Sequence, residues 1–64
     1  MKMNKHKMFN KGIMIKKNQR MFLLDDMEDR YAVIRSITAD KQGALYYGKR
    51  QFITLKELDT YIIV

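Results

Sequence analysis

Nothing in these 64 residues can staple a small fold: the chain has no cysteine, and its one histidine is His6. Disulfides and thiolate zinc sites are excluded, and one imidazole cannot build a metal site. No metal and no other cofactor is expected. A chain this short makes one domain at most. Domains of this size bury only about 60% of the surface that the unfolded chain exposes, and small scaffolds usually compensate with staples or a partner chain. Tight packing, or burial against another copy or another molecule, has to supply the difference, so a homo-oligomer is one expectation.

The material for a core is present. The chain is 47% apolar and 31% charged, the balance of a folded domain rather than a disordered one. The longest apolar runs, residues 21–24 and 31–34, fall far short of the roughly 18 residues that cross a bilayer. The basic start lacks the apolar stretch of a secretory signal. No membrane partner is expected, and the cytoplasm is the expected compartment. Lysine outnumbers arginine 9 to 4, a bias that suits an AT-rich bacterial, phage or mobile-element genome.

Charge divides the chain. Residues 1–20 hold seven basic residues and no acid, +7, whereas residues 21–64 hold six basic and seven acidic residues, −1. Such asymmetry marks a segment that meets an anionic surface. Residues 1–11 read as a flexible basic arm and residues 12–64 as the folded domain. The arm's rival reading is an ordinary solvated terminus.

The folded part reads mainly as strands. Ile13-Met14-Ile15 is β-prone, and Lys17-Asn18-Gln19-Arg20 is a turn in which Asn18 can take a left-handed conformation. Residues 21–24 form the next run, Asp25-Asp26-Met27-Glu28-Asp29 a polar connector, and residues 31–38 a β-branched strand. Asp40-Lys41-Gln42-Gly43 carries a type I turn signature. Ala44-Leu45-Tyr46-Tyr47 is read as a strand that turns at Gly48-Lys49-Arg50 into Gln51-Phe52-Ile53-Thr54, a second and tighter hairpin. Thr54-Leu55-Lys56-Glu57 fits a capping box. It opens one helical or 3₁₀ turn with Leu55 and Leu58 inward, and residues 61–64 close as a strand. A competing pattern exists: Leu24, Met27, Tyr31 and Ile34 have helical spacing over residues 19–36. Phe22 and Val33 on the opposite face, and repulsion between Asp25 and Asp29, favour strands.

This element order resembles small SH3-like barrels, the layout shared by SH3, Tudor and KOW domains. The resemblance covers residues 12–64 and implies a partly open barrel of about five short strands with one helical turn near the C-terminus. It rests on element order, and the Trp of peptide-binding SH3 sites is absent. It implies a shape and no activity.

Catalysis is not expected, because the only serine is Ser36 and the only histidine lies in the arm. The acidic group Asp25, Asp26, Glu28 and Asp29 lacks the order of a calcium loop. It reads as a solvated loop or a contact for a basic arm. Aromatics and cations interleave from Tyr46 to Phe52, the residue types that stack bases and meet phosphates. Tyr46 and Tyr47 point to opposite faces of a strand, so one is expected on an outer platform and the other in the core, as is Phe52. Arg35 interrupts the Val33–Ile37 alternation. It would snorkel at the rim, pair with Asp25 or Asp26, or join a binding face.

The expected function is therefore non-enzymatic binding of nucleic acid, DNA or RNA. Lys5, Lys7, Lys11, Lys16, Lys17 and Arg20 would meet phosphates, and Tyr46, Lys49 and Arg50 would extend the surface. The alternative is a protein-interaction module, such as a phage- or mobile-element-encoded regulator or inhibitor of a host protein, docking through a β-edge or the 46–52 segment.

Overall fold

The computed structural model describes residues 9–64. Five antiparallel strands form one sheet: β1 (Met14–Lys17), β2 (Arg20–Met27), β3 (Tyr31–Ala39), β4 (Leu45–Thr54) and β5 (Ile62–Ile63), with one short helix, α1 (Leu55–Leu58), between β4 and β5. The order across the sheet is β4-β3-β2-β1-β5. Residues 19–36 are strand and turn, so the helical alternative is overturned.

Local chemistry explains the connections. Asn18 and Gln19 both have positive φ, 52° and 67°, as a two-residue type I′ hairpin demands. At the β3–β4 turn, Gly43 (φ 88°) takes the left-handed position. Asp40 organises this turn: its Oδ1 accepts the N–H groups of Gln42 and Ala44, both at 2.9 Å, and its Oδ2 accepts the Tyr46 hydroxyl at 2.9 Å. Thr54 Oγ1 accepts the Glu57 N–H at 3.0 Å and so caps α1. Leu58 is buried and Leu55 packs on the core.

Two sequence expectations fail here. Asp25 and Asp26 do not form a connector; both lie in β2, at a bulge between Leu24 and Asp26. The second hairpin does not exist either. Gly48-Lys49-Arg50 lies inside β4, where the register with β3 shifts between Arg35 and Ile37. Glycine is present for closeness rather than for turning: a Cβ at position 48 would collide with the Ser36 hydroxyl.

One face of the sheet holds the core. Ile15, Leu24, Ala32, Ile34 and Ile53 project from it and are covered by Leu58, Tyr61 and Phe9. Phe9, read in the sequence as part of the basic arm, is 4% exposed. Backbone bonds hold this entry segment: the Gly12 N–H donates to the Leu24 carbonyl at 2.7 Å, and the Leu24 N–H to the Ile13 carbonyl at 3.0 Å.

The connection between the edge strands forces the sheet to curl. Thr54 sits opposite Tyr31, whereas Ile62 sits opposite Lys16, in the row that continues through Met21 and Ile37. On a flat sheet those two points would lie roughly 28 Å apart, from strand rise and strand spacing. A path from Thr54 to Ile62 that spends one turn as helix reaches only roughly 20 Å. The edges therefore approach each other around the core.

Candidate nucleic-acid interface

Directly paired residues share a face, so the register assigns the outer surface row by row. One row runs Lys16, Met21, Ile37, Tyr47 and the next Met14, Leu23, Arg35, Arg50; Asp26, Val33 and Phe52 follow. Arg35 and Ile37 thus project from the outer face; Val33 shares that side of the sheet but is itself buried, and the main core cluster takes Ala32 and Ile34. Arg35 does not interrupt a core face.

Aromatic rings and cations alternate on this surface. Phe52 is 67% exposed, the most exposed large apolar side chain among the described residues. Its ring lies 5.6 Å from that of Tyr31, tilted by 45°. The Arg35 guanidinium lies over the Tyr47 ring, 5.8 Å from its centre, while Arg35 Nε donates to the Gly48 carbonyl at 2.8 Å. The Gly48 bulge thus presents a carbonyl that fixes the guanidinium over Tyr47. Arg50 reaches back across β3 to Asp25, with Nε and Oδ2 3.1 Å apart.

The expectation that one of Tyr46 and Tyr47 would be core is corrected. Both are exposed, and so is Phe52. The cause lies in the cover: α1 packs over the end of the sheet that carries Ile53, and the bulge at Gly48 places Tyr46 beyond it. Tyr46 is not a free platform, because its hydroxyl is bound to Asp40. Hydrogen bonds from the Ala44 N–H, then from the Tyr46 hydroxyl, hold the Asp40 carboxyl below the usual carboxylate range.

The cations expected to meet phosphate fall into groups. Lys5 and Lys7 lie outside the described residues. Lys11 is exposed ahead of β1, and Lys16 stands on the outer face. Lys17 and Arg20 flank the β1–β2 turn on the core-side face, where Lys17 Nζ lies 5.2 Å from the centre of the Tyr61 ring. Lys49 is exposed at the β4 bulge and Arg50 belongs to the outer row. The fold therefore unites Lys16 and Arg50 with aromatics and sets Lys17 and Arg20 apart.

No family model, curated protein or solved structure matches this chain. Among the described residues no three metal-ligating side chains cluster, and no helix is long and apolar enough to cross a membrane. Sequence reasoning passed over Tyr31 on the outer face and read Phe52 as core, while for Arg35 a binding face was one of three readings. Their signal was the apolar character of β3 on both faces, which leaves one apolar face outside the core.

Proposed function

We propose that this protein is a non-catalytic module that binds single-stranded nucleic acid on the outer face of its sheet. One observation carries the reading: Tyr31, Phe52 and the Arg35-covered Tyr47 stand on one surface with Lys16 and Arg50. Unpaired bases stack on aromatic rings and guanidinium planes, at about 1–3 kcal/mol per base, with little demand on sequence. Cations in the same rows meet the intervening phosphates. The basic arm adds charge to that path. The SH3-like, partly open barrel belongs to the same proposal; the strand order β5-β1-β2-β3-β4, the helical turn between β4 and β5 and the forced curl support it.

The test is a titration of labelled mixed-sequence oligonucleotides, single-stranded and duplex, from low to high salt. Single strands should bind more tightly than duplex. If about five phosphates are neutralised, log K should fall with log salt with a slope of about −3.5. Phe52→Ala and Tyr47→Ala should each weaken binding by roughly 5- to 150-fold, as loss of one stacked base requires. Absence of binding at low salt, or affinity untouched by both substitutions, ends the proposal.

A second reading, docking of a partner protein on this face, is favoured by Met14, Met21, Leu23 and Ile37 in the same rows. Methionine, tyrosine and arginine are enriched in protein interfaces. Such a contact would keep its affinity at salt concentrations that release nucleic acid.

A further inference from the structure

The β1–β2 hairpin holds two like charges where a hairpin alone would avoid them. Lys17 and Arg20 are direct cross-strand partners, the last pair before the turn. Like charges placed directly opposite each other destabilise a hairpin. Among the described residues neither is in an ion pair with a carboxylate, whereas Arg50 pairs with Asp25. Lys17 is fixed over Tyr61, and the Tyr61 ring meets Phe22 edge-on, 5.4 Å between centres and 84° between planes. Lys17, Asn18, Arg20, Phe22 and Tyr61 line an open depression of about 460 Å³, within the size range of small-ligand sites.

A second depression sits beside it. Gln19 has φ 67°, a conformation that costs a residue with a Cβ about 1–2 kcal/mol and that glycine would adopt freely. The type I′ turn between β1 and β2 itself demands this φ, so what matters is where Gln19 stands. Gln19 and Arg20 both line this adjoining depression of about 490 Å³, which extends over Met21 to Ile37. Ile37 is the cross-strand partner of Tyr47, so this second depression leads onto the outer face.

We propose that the Lys17–Arg20 depression is a phosphate-monoester site that takes a nucleotide unit, the phosphate between the two cations and the ring against Phe22. A monoester carries close to two negative charges at neutral pH, matching two cations, and the planar guanidinium of Arg20 suits bidentate contact. The ligand could be a free nucleotide or the 5′-phosphate end of a strand. The second source rests on the proposed function; the first does not.

Amide chemical shifts of the full-length protein test the site, using adenosine 5′-monophosphate, adenosine, and one oligonucleotide with either a 5′-phosphate or a 5′-hydroxyl. The nucleotide should shift the amides of Lys17, Asn18, Arg20 and Tyr61 saturably, and adenosine should not. Arg20→Gln, at an exposed position, should weaken this at least 10-fold, and Arg20→Lys should recover part of it. The 5′-phosphate should raise oligonucleotide affinity about 5- to 10-fold in the natural protein and not in Arg20→Gln. Equal responses to nucleotide and nucleoside, or an unchanged Arg20→Gln, overturn the site. Oligonucleotide binding that ignores the 5′-phosphate overturns the strand-end source and leaves the outer face standing. Saturable nucleotide binding without oligonucleotide binding overturns both the outer-face reading and the strand-end source and leaves the free-nucleotide site standing.

Discussion

Asp25 and Arg50 meet at 3.1 Å although a whole strand separates them. Asp25 lies on β2, Arg50 on β4, and β3 runs between. Asp25 sits at the β2 bulge between Leu24 and Asp26, and from there its carboxylate reaches Arg50. The pair therefore restrains one of the cations of the proposed interface. Asp25→Asn should cost less than about 1 kcal/mol, because the pair lies at the surface with Arg50 exposed and Asp25 half-buried. It should raise single-strand affinity roughly 3- to 10-fold at low salt, with the gain fading as salt rises. Unchanged affinity in a binding isotherm would place Arg50 outside the interface.

Gln19→Gly should separate stability from binding. Removing the left-handed strain should stabilise the fold by about 0.5–1 kcal/mol net of backbone entropy. In a domain of this size that is roughly 2–8 °C in Tm. If the Gln19 amide is used at the site, nucleotide affinity should fall in the same variant. A melting curve and a titration on one sample measure both.

Phe9 sets the limit for trimming the chain. Deletion of residues 1–8 should lower the magnitude of the salt slope, by up to about 2 if Lys2, Lys5 and Lys7 each meet a phosphate. Deletion of residues 1–11 also removes Phe9, a core residue. Phe9→Ala should cost about 3–5 kcal/mol, enough to unfold much of a marginal domain. Circular dichroism of the two deletions distinguishes lost binding from lost structure.

Gly48 and Ser36 should be coupled. Gly48→Ala alone forces the Ser36 hydroxyl out of the way and should cost about 1–3 kcal/mol. In the Ser36→Ala background the same change should cost less than half of that, because the colliding oxygen is gone. A double-mutant cycle by urea unfolding reads the difference. Additive costs would assign the glycine to some other cause.

Acid should act on the β3–β4 turn. The Asp40 carboxyl is held low by the Ala44 N–H, then by the Tyr46 hydroxyl. A group whose folded pKa is depressed contributes stability above its unfolded pKa, and that contribution is lost as pH falls through the folded value. Thermal stability should therefore decline below about pH 4, the ordinary carboxylate range. Asp40→Asn should flatten that part of the pH profile and lower Tm at neutral pH.

Much of the architecture was legible from short-range chemistry. Asn18, the Asp40–Gly43 turn and the Thr54 cap act through neighbours two to four residues away, and each forms as read. Longer-range choices were not legible. β3 is apolar on both faces, so alternation alone could not decide between Ala32–Ile34 and Val33–Ile37 as the core. Gly48-Lys49-Arg50 has the residues of a turn, and only the long partner strand β3 shows that they continue β4. Phe9 sits among lysines, and its burial depends on a packing space that β1, β2 and Tyr61 create from far along the chain. In the candidate site, Arg50 was identified for its charge and Arg35 had a binding face among its readings, but Phe52 was assigned to the core for the same reason of alternation.

The pairing of β1 with β5 has a consequence for the order of assembly. β1 to β4 each join the strand next to them in sequence, so three hairpins can form locally. The last pairing joins Ile15 to Ile63 and Lys16 to Ile62, and closing so long a loop costs about 2–3 kcal/mol more entropy than closing a tight turn. The four-stranded meander should therefore collapse first, leaving β1 as an open edge. On the ribosome that edge stays unpaired until Ile63 has emerged, and a chaperone or a second nascent chain could occupy it in the interval.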